Sequence, residues 1–488
     1  MDKKKILTII AIIISFPFLL LSQTTFERTY GGPYYDAGSS VLQTSDGGYI
    51  IIGTSRYYDS EINDMYLIRT DAYGDTIWTR VYGGDDDDSG TFIQETSDSG
   101  YIILGATRSF GAGSSDVYLI KIDATGDTLW TKTYGGTGID YGSCVRQIED
   151  QGYIIAGHTD SYGSGFYDIY LIKTDAFGDT LWTKVLGGSD FDGCRNIQPT
   201  SDKGYILVGD TKSFGAGDSD VYLIRTDESG DTLWTKTCGG ENYDRGYSLV
   251  QTLDGYLIAG ATESFGAGSR DVYIIRTNLS GDTLWTKTLG AVGYDMANFI
   301  QRTYDDGYII VGETESYGAL ESDIFLIKID SAGNVYWTQT IGGAEYDRGA
   351  CVQQTSDYGF VITGSSKSYS AEGESDIYLV KTNAFGGLTG IDNDRNWTIG
   401  LKDFELHQNY PNPFNTSTTI SYQVAKPSRI KLELFTIDGS LLMQVFEKHH
   451  QPGEYQWRWN PENLDGGLYF YRLRSSEGEI TRKMILLK

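Results

Sequence analysis

The chain has 488 residues, with 61 Gly and 37 Tyr but only 8 Pro, enough for two or three domains built from short strands and tight turns. Its formal charge of −27 lies almost wholly before Gly400. A surface that acidic repels nucleic acid and anionic membranes, so neither is an expected partner.

Residues 1–5 include three consecutive lysines, and residues 6–21 (ILTIIAIIISFPFLLL) are almost entirely apolar. A basic stretch, a short apolar stretch broken by Pro17 and a small residue at Ser22 read as a secretory signal peptide over 1–22. The run is short for a membrane span and no later segment approaches that length, so no integral membrane segment is expected in the mature chain.

Residues 24–387 repeat. Trp78, Trp130, Trp182, Trp234, Trp285 and Trp337 recur at spacings of 51 or 52 residues. A phrase Gly-Tyr-Ile-Ile-x-Gly recurs near Gly48, Gly100, Gly152, Gly204, Gly255, Gly307 and Gly359. A third phrase, Asp-x-Tyr-Leu-Ile-Lys-Thr, starts at Asp64 and recurs to Asp376. In the second unit, strands are predicted at 90–96, 101–107, 117–122 and 128–134, joined by turns whose glycines supply positive φ. Four antiparallel strands per unit of this length predict a β-propeller. The ends predict its closure. Phe26 lies 52 residues before Trp78, in a fourth strand that lacks its first three, and the last unit lacks its fourth. The expected fold is therefore all-β, a seven-bladed propeller whose N-terminal strand completes the last blade and leaves no open sheet edge.

Four cysteines fall in this region. Cys144 and Cys351 occupy a position filled elsewhere by Ser40, Phe92, Asn196, Ser248 and Phe299, and Cys238 stands where other units have Tyr82 or Leu186. They are expected as buried thiols rather than a disulfide framework.

The second-to-third-strand loop and the blade-to-blade loop should emerge on one face. The former carries Phe110, Tyr162, Phe214, Phe265, Tyr317 and Tyr369, candidate ligand-binding aromatics that could stack on sugar rings. The latter carries Asp36, Asp88, Asp140, Asp192, Asp244, Asp295 and Asp347. A residue present in every blade is demanded by every blade, so the aspartates are expected to fix turns. Departures from symmetry are better functional clues. The acidic run at Asp85, Asp86 and Asp88 is a candidate metal site, and calcium is the cofactor those carboxylates would suit. His158, the one histidine of the repeats, is expected as an accommodated strand residue, and no Ser-His-Asp set assembles.

Residues 388–404 break the period and read as a linker. Over 405–488, runs at 418–424, 430–437, 440–446, 453–459, 467–473 and 479–487 alternate like strands and suggest an immunoglobulin-like β-sandwich. The segment carries Tyr410-Pro411-Asn412-Pro413-Phe414-Asn415, then Asp438-Gly439, Pro452-Gly453-Glu454-Tyr455, Gly467-Leu468-Tyr469 and Arg482-Lys483-Met484. It resembles the type IX secretion C-terminal sorting domain (type A) of Bacteroidetes. Thr416 stands where that family usually has Pro. The resemblance implies that Tyr410, Pro411, Asn412, Pro413, Phe414, Asn415, Gly467, Tyr469 and Lys483 belong to a sorting motif read by the type IX machinery, with delivery to the outer-membrane surface or the extracellular space.

Together these features predict a secreted or cell-surface propeller that binds extracellular glycan or protein, or acts as a scaffold. No catalytic set is identified. A secreted carbohydrate-active enzyme using carboxylates of the loop face and a structural surface-layer component are the alternatives.

Overall fold

The computed structural model describes residues 24–56, 62–370, 374–388, 404–407, 409, 411–412, 414–424, 426–436, 441–461, 464, 466–475 and 478–487. The signal peptide expected over 1–22, most of the linker, and Tyr410 and Pro413 of the sorting motif lie outside the described residues. The chain divides into two compact units, Met1–Asp392 and Asn393–Lys488.

Every described element of the first unit is a strand, and the strands form seven four-stranded antiparallel sheets. Blade 2 is representative: Asp88–Glu95, Tyr101–Thr107, Asp116–Ile122 and Thr128–Tyr134 pair in that order. All residues of its second and third strands are buried, because neighbouring blades cover both faces of a sheet. That is why these strands read as unbroken apolar runs rather than alternating ones. The first strand of each blade lies innermost, against the first strands of the adjacent blades. It carries a bulge after its third residue, as at Gly38/Ser40 and Gly90/Phe92, which bends it.

The ring closes as the offset ends require. Phe26–Tyr30 pairs antiparallel with Asp376–Thr382, with Phe26 opposite Lys381 and Tyr30 opposite Ile377. Blades are also joined by glutamines. The Gln147 amide N–H donates to Gln94 Oε1 at 2.8 Å, and across the closure the Gln43 N–H donates to Gln353 Oε1 at 2.5 Å.

The recurrent tryptophan is a blade-to-blade latch. Trp182 meets Tyr205 of the next blade edge-on at 6.2 Å between centroids. Its ring also covers Gly230, whose φ of +76° belongs to the left-handed region. A Cβ there would come within 2.7 Å of the indole. Glycine is required at that turn both by its backbone angle and by the approach of the ring. The cysteines are free thiols, with Cys144, Cys194 and Cys351 buried and Cys238 half-buried.

The second unit has two sheets. One pairs Phe404–Leu406, Thr418–Val424 and Gly453–Trp459; the other pairs Leu441–His450, Ser428–Thr436, Gly467–Ser475 and Gly478–Leu486. Ile420, Leu432, Leu434, Tyr471 and Met484 form its core, as in an immunoglobulin-like domain. The Tyr471 hydroxyl accepts from the Asn409 N–H at 2.6 Å and donates to the His407 carbonyl at 2.7 Å. Phe414 and Tyr469, expected in the sorting motif, are buried in this core. Asn412 accepts from the Ile485 N–H at 2.7 Å. Pro411, Asn415, Gly467 and Lys483 are exposed.

Candidate functional site

The loop face of the propeller is organised by two carboxylates per blade junction. The first belongs to the aspartate that opens each first strand. Asp140 is fully buried and accepts from the Gly136 N–H at 2.8 Å and the Ser161 hydroxyl at 2.6 Å. Asp192 accepts equivalently from Gly188 and Ser213, both at 2.7 Å. The second opens the third strand: Asp116 accepts from Ala112 and Gly113 at 2.9 and 3.0 Å. These carboxylates face inward and shape the loops.

Blade 1 departs from this pattern. Its second-to-third-strand sequence has Tyr57 where the other six blades have a serine, the residue that bonds the ring aspartate at Ser161 and Ser213. Burial, with Asp88 and Asp87 adding repulsion, raises the Asp64 carboxyl to a pKa of about 6. A folded pKa above the unfolded value favours the fold at low pH, and that contribution fades as pH rises through about 6. The melting temperature of the unmodified chain should therefore fall between pH 5 and pH 7 by more than that of Asp64→Asn. Superimposable pH profiles in a thermal-shift series would refute this.

The six loop aromatics share one environment. Phe110 lies 5.6 Å from Tyr118, Phe214 5.5 Å from Tyr222 and Phe265 5.7 Å from Tyr273. The hydroxyls of Tyr162, Tyr317 and Tyr369 donate to the carbonyls of Gly135, Gly290 and Gly342 at 2.8, 3.0 and 2.8 Å. Each ring thus clamps a blade-to-blade loop and leaves one part in solvent. In the acidic run, Asp85 and Asp86 are exposed while Asp88 turns inward to Gly84 and Ser109. Among the described residues no three His, Cys, Asp or Glu side chains converge as a metal ion requires.

Symmetry breaks at the mouth of the central channel. The residue before each ring aspartate is Tyr35, Asp87, Ile139, Phe191, Tyr243, Tyr294 and Tyr346 in order. Because the ring closes, the five aromatics form one arc from blade 4 through blade 7 to blade 1. Tyr35, Tyr294 and Tyr346 are exposed, and Phe191 and Tyr243 half-buried. Cations sit on the arc: Arg245 and Lys212 lie 5.5 and 5.3 Å from the Tyr243 ring, and Arg270 lies 5.1 Å from that of Tyr294.

Just below, the second residue of each first strand pairs with the residue that follows the invariant glycine of the second strand. The pairs run Ala37/Thr54, Ser89/Ala106, Tyr141/His158, Gly193/Asp210, Arg245/Ala261, Met296/Glu313 and Arg348/Ser365. No two are alike, so the fold does not dictate them. Asp210 is 2% exposed and is flanked by Arg195 at 3.4 Å and Arg245 at 3.9 Å. Glu313 faces Arg348 at 3.8 Å, and burial raises its pKa against the opposing pull of that arginine. His158 stacks on Tyr141 at 5.4 Å and meets Tyr167 edge-on at 5.3 Å. Burial, with Arg195 adding to it, lowers His158 to a pKa of about 4, so it is a neutral aromatic plate at pH 7 rather than a base poised for proton transfer.

Two cavities open along this wall. One of about 400 Å³ is lined by Ser39, Thr54, Ser89, Thr91 and Ser365, with Tyr35, Tyr141 and Arg348. The other, of about 310 Å³, shares Tyr35, Arg348 and Ser365 and adds Glu313, Tyr346 and Lys367. Such a surface can stack against a ring, donate and accept hydrogen bonds along a polyol, and pair with charge.

Sequence reasoning placed the aromatics of the second-to-third-strand loop at the site and missed the mouth arc. The signal was present: five of seven residues preceding the ring aspartate are Tyr or Phe.

Residues 408–487 match the family of secretion system C-terminal sorting domains. This part of the chain is a type IX sorting domain, which directs the protein to the cell surface or the extracellular space. Over 262 residues the chain is 25% identical to the regulatory protein FlaEY of Caulobacter vibrioides, covering 48% of this chain and 27% of that protein. The match thus spans about a quarter of the relative. Among solved structures, PorZ, a surface component of the type-IX secretion system of Porphyromonas gingivalis, aligns with a TM-score of 0.43 at 10% identity, over 94% of this chain and 60% of its own. A fungal alcohol oxidase of the AA5 family in complex with copper aligns at 0.44 and 10% identity, over 96% of this chain and 100% of its own.

Proposed function

We propose that this chain, delivered to the cell exterior by its sorting domain, is a glycan-binding protein whose site is the asymmetric mouth of the propeller channel. The segment 1–22 acts as its signal peptide, and 24–387 is the binding module. The observation that carries the reading is the contiguous aromatic arc, broken only at Asp87 and Ile139. Aromatic faces stack on sugar rings, and the hydroxyl-lined wall below them matches sugar hydroxyls. The sevenfold loop aromatics, engaged in clamping loops, play a supporting role.

A glycan array followed by calorimetry on the whole protein tests this. Tyr294→Ala combined with Tyr346→Ala should weaken the best-bound oligosaccharide about tenfold or more, since each stacked ring contributes about 0.5–1.5 kcal/mol. Phe110→Ala combined with Phe214→Ala should leave affinity within about twofold, far short of the 1.4 kcal/mol that separates tenfold differences. Binding of no saccharide, equal losses in both pairs, or turnover of the bound saccharide would each defeat the proposal.

A further inference from the structure

We infer that the saccharide taken at the mouth carries a carboxylate, as uronic acids do, and that the Arg348 guanidinium holds it. This inference rests on the glycan-binding reading and specifies its ligand.

The chain carries −27 overall, yet arginine occupies the inner wall at Arg195, Arg245 and Arg348, where other blades have uncharged residues from Ala, Gly and Ser to Asn, Met and Tyr. The blades therefore do not need these cations. Arg195 and Arg245 have a local task, since both lie beside the buried Asp210 carboxylate, which would be costly without them.

Arg348 differs. Its side chain is 52% exposed, and its contact with Glu313 is a loose 3.8 Å from Nε. That leaves the outer edge of the planar fork, with its parallel N–H donors, turned to the two cavities it lines. A carboxylate fits that edge bidentately. A monoanion also matches a single guanidinium, whereas a dianionic phosphate would bring surplus negative charge to an acidic protein. Glu313, Asp347 and Glu374 line the second cavity beside Arg348, whereas no carboxylate lines the first, so the ligand carboxylate is placed on the side of the first cavity; more distant charges are largely screened at physiological salt.

The rest of the ligand is indicated by the wall. Ser39 and Ser365 offer hydroxyls, Thr91 Oγ1 already donates to the carbonyls of Leu104 and Gly142 at 3.1 and 2.9 Å, and Tyr35 stands at the rim shared by both cavities. A volume of about 400 Å³ falls in the range of small-molecule sites. A hydroxyl-bearing wall with an aromatic rim suits a sugar ring, whose hydroxyls donate and accept along the wall while one face stacks on the rim.

The test titrates the whole protein with an oligouronate and with its methyl ester, which keeps shape and removes charge. The acid should bind about tenfold tighter or more, the scale of a hydrogen-bonded charge pair. The advantage should shrink as salt is raised. Arg348→Met should bring the acid down to the affinity of the ester, and Arg348→Lys, which keeps charge but not the fork, should fall between. Equal affinity for acid and ester on the unmodified protein overturns the inference while the glycan site stands. Binding of neither form, with no other saccharide retained, defeats the glycan reading itself. Displacement of the bound saccharide only by a carboxylate-ended peptide, with no effect of free uronate, overturns the inference in favour of a peptide ligand.

Discussion

Deleting the five-residue strand Phe26–Tyr30 is expected to unfold the ring rather than trim it. The strand is the outer edge of blade 7 and also part of the junction with blade 1. Phe26 is buried edge-on against Tyr49 at 5.8 Å, and the Tyr30 hydroxyl donates to the Gly74 carbonyl at 2.5 Å. Burial of a Phe side chain contributes about 2–3 kcal/mol, and each lost ladder hydrogen bond about 0.5–1.5 kcal/mol. The total of about 5 kcal/mol or more is on the scale of a whole domain's stability. The deletion also bares Asp376–Thr382, an apolar strand, as an edge open to pairing with other chains. Circular dichroism should show loss of the cooperative melt, or a fall of at least about 15 °C, and gel filtration should show aggregate. A truncated chain that stays monomeric and melts within a few degrees of the full one would mean that this strand does not hold the ring closed.

Closure was legible before any coordinates because it depends on one-dimensional information. The 52-residue period, and the offset that leaves Phe26 without preceding strands, are properties of spacing. So are the strands Tyr101–Thr107 and Thr128–Tyr134, whose predicted and observed bounds coincide. The first strand starts earlier than predicted, at Asp88 rather than Gly90, because Asp88 already pairs with Thr107 while its side chain anchors the preceding turn. Side-chain direction was less legible. A ring aspartate in a glycine-rich loop could face solvent or its own backbone, and only the Gly84, Gly136 and Gly188 N–H groups decide the matter. The mouth was obscured for a related reason. Recurrent phrases draw attention to what all blades share, whereas Tyr294 and Tyr346 matter because blades 2 and 3 have Asp87 and Ile139 instead. The Arg195–Asp210–Arg245 group brings two blades together, and nothing in the local sequence announces it.

The repeats serve as their own control for burial. In every blade a cation near the end of the third strand reaches an aspartate in the first turn, but burial differs between copies. In blade 7, Lys381 is 1% exposed, and its Nζ lies 2.9 and 3.0 Å from the two oxygens of Asp357, itself 19% exposed. In blade 5, Arg276 meets an Asp254 that is 75% exposed. Asp357→Ala should cost about 3 kcal/mol, because it strands a buried ammonium. Asp254→Ala should cost clearly less, because that carboxylate is open to water and the buried Arg276 guanidinium keeps its hydrogen bonds to the carbonyls of Tyr256 and Thr277 at 3.0 and 3.2 Å. The pH dependence follows from the sign of the shift. Burial works to raise the Asp357 pKa, but hydrogen bonds from Thr355 and Lys381 outweigh it and hold the carboxyl below the usual range. A depressed folded pKa stabilises above the unfolded value and ceases to do so as pH falls through the folded one. The gap between the parent and Asp357→Ala should therefore be widest at neutral pH and close in acid, below about pH 4. Denaturant titrations of both variants at pH 7 and pH 3.5 check this. Equal costs at pH 7 would show that the pairs are interchangeable and that burial does not set their strength.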